Sequence, residues 1–367
     1  MLTALAGLAS YHIVFNVFRY ITFRTAMALV TALILSLCLG PWMIRTLRKR
    51  QIGETIREDG PARHRAKAGT PTMGGLLIVG SLVASVLLWG NLGNRLVWIV
   101  LLVTIALATI GAYDDWLKLR TRRPLKIREK FGAQLLVGLA LGVYLHAVPA
   151  EGVTSQLSVP FVKDWVPDLG LTYILFVALI VVGASNAVNL TDGLDGLAMG
   201  PVIVAALALG VLAYLAGHAR LSEYLYIFKV KGAGELTVFC GALMGASIGF
   251  LWFNAHPAQV FMGDTGALAI GGALGSIAIM LKAEFLLLIA GGVFAAETMS
   301  VLIQVYTYRW HKRRRGKEYA DAHKVFRMAP LHHHFEKLGW AEPQVVMRFY
   351  ILGVLCAAIA LATLKVR

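Results

Sequence analysis

The chain has 367 residues, of which 58% are hydrophobic and only 15% charged. A soluble protein carries about a quarter charged residues, and a membrane barrel shows short alternating segments, so this composition excludes both classes. The formal charge of +15 reads first as membrane topology and second as attraction for phosphates or lipid head groups; no aromatic-interleaved pattern accompanies it, so nucleic acid is not an expected partner.

Apolar runs of the length that crosses a hydrocarbon core roughly 30 Å thick recur at 22–44, 73–90, 95–113, 131–149, 169–188, 197–216, 236–253, 266–282, 285–308 and 345–364. The expected fold is therefore all-α: a polytopic integral membrane protein with about ten transmembrane helices, forming one domain over 1–367. The first 20 residues lack the basic start and small-residue cleavage site of a removable signal. Cys38, Cys240 and Cys356 lie inside apolar runs and read as small core residues rather than a disulfide frame.

Charge alternates between the connecting segments. Segment 45–72 holds eight cations, 114–130 seven and 309–344 nine, together 24 of the 35 Lys and Arg. These segments, with the short loops 189–196 and 254–265, fall on one side, and the positive-inside rule makes that side cytoplasmic. An even number of spans then places both termini outside, on the face away from the cytoplasm.

The acidic residues gather on the same side. Asp114 and Asp115 in GAYDDWLKLR close the third span, Asp192 and Asp195 in SNAVNLTDGLDGLA follow the fifth, and Asp264 in FMGDTGALA precedes the eighth. Carboxylates at a membrane boundary are costly unless solvated, paired or metal-bound. Adjacent carboxylates repel, and a divalent cation is the simplest way to hold several together. Mg²⁺ prefers one or two carboxylates, waters and phosphate oxygens, which suits Asp114, Asp115 and Asp264. Taken alone, Asp264 before Thr265 also suits a helix N-cap. The glycine-bearing loops NLTDGLDG and FMGDTG let backbone N–H groups approach a phosphate or nucleotide.

His332, His333 and His334 stand in MAPLHHHFEKLGW. Three consecutive side chains do not converge on one metal from regular structure, so hydrogen bonding to a diphosphate is preferred over ligation. Lys67 and Thr72 in RAKAGTPTMGG, with Lys118 and Lys130, are candidate contacts for phosphates or nucleotide. Glu297 and Gln304 lie seven residues apart on nearly one helix face, and Glu297 is expected to face a polar cavity or to satisfy a neighbouring helix.

Together the strings KAGTPTMGG, GAYDDWLK, NAVNLTDGLDGLA, FNAHPAQVFMGDTGALA, ETMSVLIQV and PLHHHFEKLGW, between about Arg63 and Arg348, resemble the phospho-N-acetylmuramoyl-pentapeptide-transferase family, a branch of the polyprenyl-phosphate N-acetylhexosamine-1-phosphate transferases. The resemblance implies ten transmembrane helices, a cytoplasmic cleft and a Mg²⁺ cofactor. It implies transfer of phospho-MurNAc-pentapeptide from UDP-MurNAc-pentapeptide to undecaprenyl phosphate within the membrane lipid, giving lipid I and UMP in peptidoglycan synthesis. It implies that Asp114, Asp115 and Asp264 are catalytic, with Asp264 the favoured metal ligand and Asp114 and Asp115 further candidates. Asn186, Asn189, Asp192, Asp195, Asn254, Phe261, Gln304, His332, His333 and His334 match positions lining the nucleotide and sugar cleft, and Lys67, Thr72, Lys118 and Lys130 match polar positions near the substrates. A homodimer is left open as a further partnership. The nearest alternative is a sibling using UDP-N-acetylglucosamine, which the triple-histidine string disfavours. A secondary transporter is the alternative of another class, but its carboxylates usually lie near the bilayer midplane.

Overall fold

The computed structural model describes residues 1–10, 12–49, 69–121, 123–149, 152–159, 162 and 165–365. Lys67, and with it most of the first basic loop, lies outside the described residues. The fold is helical, and an isolated antiparallel bridge pairs Gln156 with Asp168.

Among the described residues, eight helices are long and apolar enough to cross a membrane: α1 (Ile21–Lys49), α3 (Arg95–Thr121), α4 (Ile127–Ala147), α5 (Tyr173–Thr191, with the turn before it), α6 (Met199–Ala216), α8 (Gly234–Asn254), α9 (Gly263–Met280) and α14 (Glu342–Ala362, with the turn after it). The expected span 73–90 is α2 (Gly75–Trp89), an apolar helix of 15 residues, about 22 Å long at 1.5 Å per residue. Short helices α7 (Ala219–Tyr224), α12 (Lys317–Ala322) and α13 (Leu331–Lys337) decorate the ends.

Two expectations change in shape. The ninth span, read as continuous over 285–308, is broken: α10 (Glu284–Ala290) and α11 (Gly292–Arg315) meet at 88°. Gly291 falls between the two helices, and a Gly pair at 291–292 is a recognised cause of a sharp kink. The basic segment 114–130, read as a loop, is mostly helix: α3 continues to Thr121 and α4 begins at Ile127. The apolar run stops at Tyr113, but Trp-Leu-Lys-Leu-Arg keeps good helix formers in place, so the helix projects past the apolar layer.

The organising element is α9. Its apolar window is 94% buried inside the protein, against 28% for α4 and α14, so α9 is the central post and the other two face outward. Its sequence explains this. Small residues recur through GDTGALAIGGALGS, which lets neighbouring backbones come close. A Cβ added at Gly75 would fall 2.0 Å from the Gly266 nitrogen, and one at Gly271 would fall 2.3 Å from the Ala184 oxygen. A Cβ at Gly111 would fall 2.3 Å from the Asp264 oxygen. So α2, α5 and α3 are clamped on α9, and the clamp passes through Asp264 itself.

Candidate active site

Four helix ends meet at the basic end of the bundle: the C-terminal ends of α3 and α5 and the N-terminal starts of α4 and α9. They bring together the sequence-flagged residues Asp114, Asp115, Lys118, Lys130, Asn189 and Asp264. All three aspartates are buried.

Asp115 is bound to the start of α9. It accepts from the Asp264 N–H at 3.1 Å, the Thr265 N–H at 2.9 Å and the Thr265 hydroxyl at 2.7 Å. Those N–H groups are among the helix's unpaired donors, so a carboxylate from α3 caps α9 in trans. The N-cap alternative for Asp264 is thereby corrected. Asp264 is the second residue of α9, and its amide is a donor to the cap. Gly263 adopts φ +72°, and a Cβ there would lie 2.7 Å from Asp115 Oδ2 and 3.0 Å from Thr72 Oγ1. Glycine is required on both counts, and half-buried Thr72 is placed against the cluster.

Asp114 accepts the Leu125 N–H at 2.7 Å, which folds the α3–α4 turn back over the carboxylate. Its Oδ2 and that of Asp264 are bridged by two ammonium groups. Lys118 Nζ lies 3.2 Å from Asp114, 3.6 Å from Asp115, and pairs closely with Asp264. Lys130 Nζ lies 3.3 Å from Asp114 and 2.8 Å from Asp264. Asn189, from α5, donates to the other Asp264 oxygen. Three buried carboxylates thus share two ammoniums, and the Lys118 side chain is 41% exposed. A cation already sits among the carboxylates, and it belongs to a partly exposed side chain. That tests the fit for a divalent ion: Asp114 and Asp264 present oxygens to one cationic centre, whereas Asp115 has committed its oxygens to α9.

The remaining flagged residues form an adjoining wall. Asn186 donates to Gln134 and to the Val182 oxygen at 2.8 Å. Asp192 ends α5. Asn254 accepts from Gly196 N–H at 3.0 Å and donates to the Val260 oxygen at 2.9 Å, holding the loops after α5 and α8 together. Phe261 is stitched to the segment before α2 by its N–H to the Pro71 oxygen and by Gly74 N–H to its own oxygen, both 2.8 Å. Gln304 accepts the Phe326 N–H at 2.9 Å.

The three histidines do separate things, as their run within one short helix requires. His332 is buried against Glu297, His333 pairs through Nδ1 with Glu336 at 2.8 Å, and His334 Nδ1 accepts the Arg327 N–H at 3.1 Å. Burial pushes the His332 pKa down, with Glu297 opposing. The histidine wall joins the carboxylate cluster through α5. Asn189 touches Asp264, and four residues on, Gly193 lies under the His332 ring.

Sequence reading missed one group. Asp195, His256 and Glu342 place a ligand atom each within 4.8 Å of one another, a set able to hold a metal ion. His256 Nδ1 is 3.1 Å from Asp195 and 3.7 Å from Glu342. Two loops and the first residue of α14, distant in the chain, make this group, and no local pattern marks His256 or Glu342. Thr265 and Gln134 were likewise invisible as partners.

Comparisons with known proteins point to one family. The family model described as glycosyl transferase family 4 matches residues 97–282, and the phospho-N-acetylmuramoyl-pentapeptide-transferase signature 1 matches residues 67–79. The chain is 53% identical to the phospho-N-acetylmuramoyl-pentapeptide-transferase of Desulfotalea psychrophila, covering 100% of this chain and 97% of the relative. It is 52% identical to those of Syntrophus aciditrophicus and Gemmatimonas aurantiaca, with 96% of each chain covered in both cases.

Proposed function

The chain belongs to the phospho-N-acetylmuramoyl-pentapeptide-transferase family, and from that premise we propose that it moves phospho-MurNAc-pentapeptide from UDP-MurNAc-pentapeptide to undecaprenyl phosphate at the Asp114–Asp264 cluster. The observation that carries this reading is the cluster's imbalance: three buried carboxylates, two ammoniums, and one of those ammoniums partly in solvent. Such a centre accepts further positive charge and then anionic phosphates.

In the reaction, an oxygen of the lipid phosphate bonds to the β-phosphorus of the donor. The bond from that phosphorus to the bridging oxygen breaks, and UMP departs with the electron pair. A phosphate monoester has a second pKa near 6, so the acceptor is already ionised at neutral pH and needs no strong base. Positioning and charge cancellation dominate. Asp264 and Asp114 would hold a Mg²⁺, which when bound neutralises the diphosphate and the departing UMP. Lys118 and Lys130 steer the two anions together. Asp115 acts on α9: its cap fixes Asp264, so of the two adjacent aspartates it is Asp114, whose Oδ2 faces Lys118 and Lys130, that is placed to orient the lipid phosphate. Direct displacement is preferred to an aspartyl-phosphate, and trapping a stable phospho-enzyme with donor alone would refute it.

The same reading puts the basic end in the cytoplasm of a bacterial inner membrane. Counting α2 and the bent pair α10–α11 as crossings gives ten, with both termini in the periplasm, and a single transferase domain. The deciding assay is UMP release by purified protein with undecaprenyl phosphate and either UDP-MurNAc-pentapeptide or UDP-N-acetylglucosamine. Release with the first donor alone is expected. Release with the second alone, or with neither, overturns the assignment.

A further inference from the structure

Glu297 is fully buried early in α11, with no cation opposite it among the described residues. Such a carboxylate is expensive, so its contacts matter. One oxygen, Oε1, receives both the His332 backbone N–H and His332 Nδ1, each at 3.2 Å. The carboxylate is an acceptor, so Nδ1 carries the proton and the neutral ring keeps its lone pair on Nε2. Nε2 is buried and has no hydrogen-bond partner. It lies against Gly193, where an added Cβ would fall 2.2 Å away. Gly193 belongs to the turn that carries Asp192 and Asp195, immediately after Asn189 and its bond to Asp264.

A neutral ring offering a lone pair is a poor partner for phosphate oxygens, which are also acceptors. His332 is therefore unsuited to gripping the diphosphate. It is a strut between a buried carboxylate and one turn. We infer that Glu297 is a positioning residue for the nucleotide-sugar donor: through His332 it fixes the Asp192–Gly196 turn, and so the donor side of the cleft, against the carboxylate cluster. This rests on the transferase reading above. It does not extend to the lipid phosphate, whose proposed partner is Asp114 on α3.

The test uses the full-length protein and three variants. Glu297→Gln keeps an acceptor oxygen, Glu297→Leu removes it, and Gly193→Ala drives a methyl into Nε2 from the other side. Displacing a binding group by about 1 Å can cost on the order of 100-fold. Glu297→Leu and Gly193→Ala are expected to raise the donor KM by ~10-fold or more, with the undecaprenyl phosphate KM within about twofold of wild type. Glu297→Gln is expected to stay near wild type, which a bulk loss of packing would not produce. UMP affinity by calorimetry should weaken in parallel, and needs no turnover. Wild-type donor KM and UMP affinity in Gly193→Ala would overturn the inference, as would an equal loss towards both substrates. If Glu297→Leu does not fold, Gly193→Ala decides. An inactive wild type would instead indict the transferase reading, leaving the UMP comparison to judge the strut.

Discussion

The two ends of this bundle both bury charge, and they do it differently. At the end remote from the carboxylate cluster, Arg24 forks onto Glu235 at 2.7 and 2.6 Å, and Glu235 also accepts the Asn91 N–H at 3.1 Å. Nearby in kind, Lys282 meets Glu284 at 2.9 Å and the Tyr173 hydroxyl at 2.8 Å, with both charged side chains fully buried. Each set is balanced one to one and sealed. At the basic end the ratio is three carboxylates to two ammoniums, and Lys118 reaches solvent. Buried ion pairs are weak evidence for stability, yet removing one partner is strongly destabilising. Sealed, balanced pairs therefore fasten helices, whereas an unbalanced, open cluster is poised to take a ligand.

The largest effects should separate the ends most cleanly. Asp264→Asn is expected to cut UMP release by at least ~100-fold, the scale of losing a preorganised electrostatic contact, with little change in thermal unfolding. Near-normal turnover would remove the cluster from the chemistry. Chelation with EDTA should likewise stop turnover and Mg²⁺ restore it; full activity in chelated buffer would dismiss the metal.

Glu235→Ala should do the reverse. It strands Arg24, so stability should fall by about 3–5 kcal/mol while the turnover of folded protein is kept. A melting temperature equal to wild type would break the contrast between the ends. Smaller again, Lys118→Met should lower kcat/KM by ~10-fold with almost no melting shift, since a half-exposed ammonium contributes at most about 1 kcal/mol. The smallest effect on activity belongs to Glu284→Gln. Burial already pushes the Lys282 pKa down, so the lysine can shed its proton when its partner charge is lost. The cost should stay near about 1–2 kcal/mol, read by thermal unfolding, and activity should not move.

Much of this was legible in the sequence because membrane physics is one-dimensional: an apolar run of sufficient length becomes a helix, and basic segments mark a side. Asp114, Asp264 and Asn189 were placed on one face by that rule, and they do meet. What was hidden is contact chemistry between distant helices. Nothing near Asp115 announces that its partners are the amides of 264 and 265. The break at Gly291-Gly292 illustrates a different limit, because the pair Gly271-Gly272 sits unbroken inside α9. The same dipeptide stays straight where a neighbouring main chain rests on it, as that of Ala184 does on Gly271.

The glycine crossings on α9 have a consequence for how this enzyme can diversify. With Gly75 against Gly266 and Gly111 against Asp264, main chain rests on main chain, so those helix axes cannot drift apart or be spaced by a larger side chain without unseating the carboxylates. The scaffold behaves like a jig with no adjustment. Change in donor preference must therefore accumulate in the turns that overhang the cluster, around 192–196, 254–261 and 323–340, where residues can be exchanged without moving the jig.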